Sequence, residues 1–290
     1  MRHRYFWAIV ALGTAWAALL AFLRFCQRET VVIVTRSGEK YGHHHRHEAL
    51  DFVPHPFYGD CNELFTGRAL ANYTVSLKYS TLYVEFQKAI MQHKLSEGTS
   101  GTLPKQLLAL HYLAARPSVR NVCETGFNMG HSSFNFLTAS PHTVVHSFDL
   151  GRHQYAKSMA QFMADHFPGR FFINFGDSVS TVPAFIHSNP DFRCDLIFVD
   201  GGHTYKTAYA DLRNLISVAN KSNCDSIIIL DDYPAITSGI RGIGNAWEDV
   251  RRKNSIVELM RCMFSHKESV PFPAPIRGEY RRGFVVGMLT

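Results

Sequence analysis

Six acidic residues stand where short apolar runs end or just beyond them: Glu124, Asp149, Asp177, Asp200, Asp231 and Asp232. A carboxylate at a strand end is solvated and available to a ligand. The stretch CETGFNMGHSS, Cys123–Ser133, adds two glycines and a serine pair to the first of these ends. Gly126 and Gly130 let backbone approach a ligand where a Cβ would collide. Ser132 offers a hydroxyl near a helix N-terminus. Asp149 lies about 20 residues past the turn, where a carboxylate accepts bonds from two ribose hydroxyls. Asp177 and Ser178 are placed to meet an adenine edge. The G-x-G-x-x-G fingerprint is absent, with Asn128 at its second glycine and His131 at its third. That disfavours pyrophosphate and leaves a nucleoside without phosphates. A tight turn alone would account for the glycines, but not for acids at all five strand ends.

Those ends need strands to make them. From Ser118 onward the apolar runs VRNVCE, TVVHSFD, RFFINFG, CDLIFVD and DSIIILDD alternate with helical stretches near 131–140, 153–166, 178–188 and 204–221. Apolar strands separated by helices predict a parallel sheet covered on both faces. A helix near 242–253 and two further strand candidates, SIVELMRCMF and RRGFVVGML, follow. Upstream, YSTLYVEFQKAIMQH and LPKQLLALHYLAARP show helical spacing, the second ending at Pro117.

The N-terminal part has a different character. Tyr5 to Leu23 is an uncharged apolar run, about long enough to cross a ~30 Å hydrocarbon core. It ends in RFCQRE rather than a small-residue cleavage site, which predicts an uncleaved anchor rather than a signal peptide. Arg2 and Arg4 favour a cytosolic N-terminus and a lumenal remainder, although basic residues flank both sides. The expected organisation is a cytosolic tip and signal anchor over 1–27, a stem over 28–75 and a catalytic domain over 76–290. The sequons at Asn72 and Asn220 agree with a lumenal domain, and Cys26 is a palmitoylation candidate. The HHHRHE run at 43–48 is expected to be solvated stem, with adventitious metal binding as the alternative. With 290 residues, 46% hydrophobic, the chain suffices for one large domain and a tail. The net charge of +6 is scattered and does not point to nucleic acid. Six cysteines without a C-x-x-C pair do not point to a zinc ribbon.

The ordered set ETGFNMG, HSFDLG, GDS, CDLIFVDGGHTYKTAYADL and IIILDDYP resembles the class I S-adenosylmethionine-dependent methyltransferases. The VDGxHxY…DL segment followed by DDY is closest to the methyltransferase-24, macrocin-type sugar O-methyltransferase branch. The resemblance covers roughly residues 95–290 and departs from E-x-G-x-G-x-G at Asn128. It implies a Rossmann-like α/β fold with a seven-stranded, mostly parallel sheet whose last strand is antiparallel. It implies cofactor contacts at Glu124, Gly126, Asn128, Gly130, Ser132, Asp149, Asp177 and Ser178. In that fold Asp200, Asp231 and Asp232 come from adjacent strand ends, so the three are the expected ligands of a divalent cation, Mg²⁺ or Mn²⁺. Three close carboxylates repel unless a cation balances them, and hard oxygens suit such ions. Strands four and five are neighbours there as well. Cys194 and Cys224 therefore come near one another opposite the acids, which makes a 194–224 disulfide a candidate.

His203, three residues after Asp200, is a general-base candidate, since an imidazole titrates near neutrality. Its alternatives are to cap the following helix or to orient Asp200, and Asp200 is itself a candidate base. Tyr205, Tyr233 and Trp247 are candidates for an acceptor pocket, with core packing as the alternative for each. The leading expectation is a membrane-anchored O-methyltransferase, metal-assisted, acting on a glycan hydroxyl in the Golgi or endoplasmic reticulum. A small lipid or phenolic acceptor is the near alternative. A catalytically silent binding module and a nicotinamide oxidoreductase are the readings from other classes. Expected partners are the hydroxylated acceptor and the membrane, with a homodimer as a further option and no nucleic acid.

Overall fold

The computed structural model describes residue 73 and residues 80–93, 100–220, 226–233, 241–254, 256–264 and 282–289. All belong to one unit, Tyr58–Thr290. The predicted anchor, most of the stem, Asn72, the histidine run, Cys26 and Cys224 lie outside the described residues. Among the described residues no helix is long and apolar enough to cross a membrane.

Two helices, α1 (Thr81–Met91) and α2 (Pro104–Ala114), precede an alternating series. The series runs β1 (Asn121–Thr125), α3 (His131–Ala139), β2 (Val144–Asp149), α4 (Gln154–His166), β3 (Phe171–Phe175) and α5 (Ser178–Ser188). It continues with β4 (Leu196–Val199), α6 (Tyr205–Ser217), β5 (Ile227–Leu230), α7 (Arg241–Lys253), β6 (Ile256–Phe264) and β7 (Arg282–Leu289). The seven strands form one sheet in the order β3-β2-β1-β4-β5-β7-β6. β1 to β5 are parallel, and β7 runs antiparallel between β5 and β6. This is the Rossmann-like, mostly parallel sheet that the sequence pattern predicts.

β4 and β5 are apolar at every position because both faces are covered. Leu196, Phe198, Ile227 and Ile229 point into one core with residues of α2, α3 and α4. Ile197, Val199, Ile228 and Leu230 point into the other, with α5, α6 and α7. This is the alternation that a pleated strand requires. Pro104 opens α2, where its missing N–H costs nothing. Asp177 and Thr204 cap α5 and α6 by accepting from the N–H of Val179 and Thr207 at 3.0 and 3.2 Å. At the lower end of the sheet Asp195 accepts from the backbone N–H of Arg120 and Asn121, each at 2.9 Å.

The cysteines pair differently from the expectation. Cys194, just before β4, is joined to Cys123 of β1, with Cα atoms 5.9 Å apart. The 194–224 bond is thereby excluded. Both side chains face the core shared with α5, α6 and α7, and the bond crosses between neighbouring strands on that side of the sheet. Cys262 is also disulfide-bonded. The 123–194 link closes a loop across 71 positions of sequence, for which a native disulfide contributes about 2–5 kcal/mol. Peptide mapping without reduction should recover 123 joined to 194, and Cys123→Ala/Cys194→Ala should lower the melting temperature. A 194–224 peptide would contradict the strand geometry.

On β2, His146 is packed among Phe172, Phe185 and Phe192, with ring centroids 4.8, 5.2 and 4.5 Å away. Burial pushes its imidazole from 6.5 down to about 4. A group whose folded pKa is depressed in this way is held neutral. It leaves stability intact above about pH 6.5 and removes it as the pH falls toward 4. His146→Phe should therefore melt at an increasingly higher temperature than the wild type as the pH is lowered from 6.5 to 4. Parallel melting curves across that range would contradict the packing.

Candidate functional site

Strand register builds the site. Each turn leaving the sheet is bonded to the strand beside it. The N–H of Gly176 donates to the Asp149 carbonyl at 2.8 Å, and that of Gly126 to Phe148 at 2.8 Å. The N–H of Asp200 donates to Thr125 at 2.9 Å, and that of Asp231 to Val199 at 3.0 Å. The strand order reverses at β1, between β2 and β4, so a crevice opens above their carboxyl ends. The crevice is a cleft of about 720 Å³, lined on one side by Asp149, Asp177 and Ser178 and on the other by Asp200, His203 and Asp232.

The glycine turn forms its floor. Gly126 has φ +92°, and a Cβ there would overlap the carbonyl oxygen of Asp200. The residue must be glycine because two strand ends meet at it, before any ligand is considered. Asn128 has φ 51°, in the left-handed region that asparagine tolerates best after glycine. That is why asparagine can replace the motif's second glycine. Its backbone N–H donates to Asp149 Oδ2 at 2.9 Å, and the N–H of Gly151 donates to Oδ1 at 2.7 Å. Two backbone donors thus fix the Asp149 carboxylate on the cleft wall. Gly130 does not line the cleft. It has φ +81° at the start of α3, and its Cα faces the Phe127 ring.

Glu124 lies beneath the cleft rather than in it. It is fully buried and accepts from the hydroxyls of Ser132, Ser133 and Ser147, the last at 2.9 Å. Ser132 reaches the cleft wall, but its hydroxyl proton goes to Glu124. Burial pushes the Glu124 carboxyl up to about 7, against the pull of the three hydroxyls. Its role is to clamp β1, β2 and the first turn of α3 together. The expectation of direct cofactor contact is corrected to support from below.

At the other end three groups converge. Asp200, His203 and Asp232 each offer a ligand atom, all within 4.8 Å of one another. The Gly201–Gly202 turn lets the chain double back between Asp200 and His203. Asp232, a buried residue with φ 56°, turns its carboxylate toward His203, 3.1 Å from Nε2. His203 is more than half exposed, and its partner ion is Asp232. Asp231 does not join this group. Its side chain is buried on the opposite side of the strand and accepts from Gln106 Nε2 at 2.8 Å. Two carboxylates and an imidazole suit a divalent cation, and they replace the three-aspartate set expected from the sequence.

The aromatic candidates are not in the cleft. Trp247 is wholly buried between α7 and the sheet, with Nε1 donating to Glu258 at 3.1 Å. Tyr233 is buried under the Arg261 guanidinium, 5.0 Å from its ring. Tyr205 lies outward on α6, stacked on Tyr209 and donating to Asp249 at 2.8 Å. The cleft is lined instead by Ser100, Arg152 and His153, which the sequence reading did not single out, and by His131, which it noted only at the motif's third glycine. Arg152 and His153 directly follow the D-L-G turn after β2, and that adjacency was the available signal. His131 is held neutral, its pKa pushed down to about 4 by burial.

The Methyltransf_24 family, described as a methyltransferase domain, matches residues 123–233. No curated protein matches the chain in sequence. Among solved structures, the O-methyltransferase TomG from Streptomyces achromogenes, involved in tomaymycin synthesis and in complex with SAM, is similar with a TM-score of 0.57. It is 15% identical, over 79% of this chain and 98% of that one. An O-methyltransferase from Bacillus cereus in complex with SAH is similar with a TM-score of 0.54 and 13% identity, over 79% of this chain and 95% of that one. At these identities the likeness is one of fold. Sheet order, cleft and family match agree: residues 123–233 match a methyltransferase domain, and the described residues take the class I S-adenosylmethionine-dependent methyltransferase fold.

Proposed function

We propose that this domain transfers a methyl group from S-adenosylmethionine to a hydroxyl oxygen, with help from a divalent cation. We propose further that it works on a sugar hydroxyl at the lumenal face of a Golgi or endoplasmic reticulum membrane. The observation that carries the chemistry is the single cleft running from the backbone-held Asp149 carboxylate to the Asp200–His203–Asp232 group. Asp149 accepts from ribose hydroxyls, and Asp177 with Ser178 receives the adenine end, toward β3. The methionyl end then lies over β1 and β4, beside the three converging groups. The similar structures hold SAM and SAH and are O-methyltransferases, which supports both cofactor and acceptor atom.

Methyl transfer from a sulfonium is an in-line displacement, so the acceptor oxygen must be aligned and electron-rich. A cation held by Asp200, His203 and Asp232 would lower the pKa of an acceptor hydroxyl and fix its place. The imidazole among the donors favours Mn²⁺ over Ca²⁺. Asp200 and His203 are the groups placed to take the acceptor's proton. Removing the acids should stop turnover and leave cofactor binding.

The membrane part of the proposal rests on the apolar run Tyr5 to Leu23 and the stem before the domain, over 1–27 and 28–75. The 123–194 disulfide supports an oxidising compartment. Of the two sequons, Asn220 has its amide engaged with Asp195 at 2.9 Å, so glycosylation there would compete with a contact of the fold.

Asp149→Ala should weaken SAH binding by at least about tenfold, the value of one good charge-assisted contact, with the melting temperature little changed. Calorimetric titration checks this, and undiminished affinity would place the ribose elsewhere. Gly126→Val should instead fail to fold, because it separates β1 from β4. Turnover should cease in excess chelator, return with Mn²⁺, and drop at least ~100-fold in Asp200→Asn and Asp232→Asn. Asp231→Asn should act mainly on stability through Gln106. Full turnover in chelator by folded enzyme would remove the cation from the account.

A further inference from the structure

Asp211 is buried on the inner face of α6, wholly out of solvent, and neither of its carboxylate oxygens has a hydrogen-bond partner. Thr125 Oγ1, at the end of β1, is likewise buried without a partner. A buried unpartnered carboxylate opposes folding, so its presence calls for another use. Its surroundings show one. A Cβ placed on Gly201 would lie 3.2 Å from Asp211 Oδ2 and 3.2 Å from Thr125 Oγ1. Both atoms therefore sit directly against the turn that carries Asp200 and His203. Burial pushes the Asp211 carboxyl up to about 6, while the hydroxyls of Ser178 and Thr125 favour its ionised form and Asp177 opposes it. Thr125, Ser178 and Gly201 all line the cleft, and Asp211 stands immediately behind them. One side chain of α6 thus meets the turns after β1, β3 and β4 together.

We propose that Asp211 is a positioning residue of the cofactor cleft: it takes the hydroxyl protons of Thr125 and Ser178, so that both oxygens face the cleft as acceptors. The matching ligand groups are N–H donors, namely the adenine amine at Ser178 and the methionyl ammonium near Thr125. The inference rests on the cleft being the S-adenosylmethionine site.

The test is SAH titration and thermal melting of full-length wild type, Asp211→Asn, Asp211→Leu, Thr125→Val and the Asp211→Leu/Thr125→Val double variant, with Asp149→Ala beside them. Asp211→Leu should melt no lower than the wild type, since it removes an unpartnered charge, yet bind SAH at least about fivefold more weakly. Asp211→Asn, whose amide oxygen still accepts one hydroxyl, should recover part of that loss. Thr125→Val should weaken binding, and the double variant should bind no worse than Asp211→Leu, because the two residues act as one unit. In steady-state assays the KM for S-adenosylmethionine should rise while kcat at saturation changes less than about twofold. Wild-type affinity in Asp211→Asn and Asp211→Leu, with only the melting temperature moved, would reduce Asp211 to a packing residue. Should the wild type itself not bind SAH, or Asp149→Ala bind as it does, the cofactor reading falls, and this inference falls with it.

Discussion

The ends of β1 and β4 meet so closely at Gly126 that no side chain fits between them. Everything in the cleft follows from that contact. It lies where the strand order reverses, so the helices after the two strands pass to opposite faces and leave a crevice above. It sets Thr125 beside the Gly201 turn and Asp149 beside the Asn128 amide. The Glu124 clamp reinforces it from below, and the Cys123–Cys194 bond ties the same two strands lower in the sheet. The site is thus rigid where a nucleoside would rest and carries its exposed imidazole, His203, at the rim.

The strands were legible because parallel strands buried on both faces are continuous apolar runs, and IIIL or LIFV admits little else. The acids were legible as strand ends for the same reason. What the pattern could not show is direction. Asp231 and Asp232 are adjacent, so they leave β5 on opposite sides, and only the left-handed backbone at Asp232 brings one of them to His203. Tyr233 and Trp247 carry polar atoms that suit a pocket, yet partners inside the fold, Glu248 and Glu258, already engage them. The cysteine pairing was lost in the same way. Counting from the acids matched Cys194 to Cys224, whereas the face alternation of β1 puts Cys123 on the side where Cys194 lies.

The charge arrangement separates two tasks. At the β2 end the Asp149 carboxylate is held by two backbone donors, which suits recognition of neutral hydroxyls. At the β4 and β5 end two carboxylates and an imidazole converge, which suits a cation and a proton acceptor. An oxygen acceptor bound at that end would be both oriented and activated.

The measurement that bears most directly on this account is a crystal structure of the chain with SAH and Mn²⁺. The account predicts ribose hydroxyls on Asp149, the adenine beside Asp177 and Ser178, the sulfur above the Gly126–Asp200 junction, and the cation on Asp200, His203 and Asp232. SAH bound with its ribose away from Asp149, or its sulfur remote from the three converging groups, would contradict it.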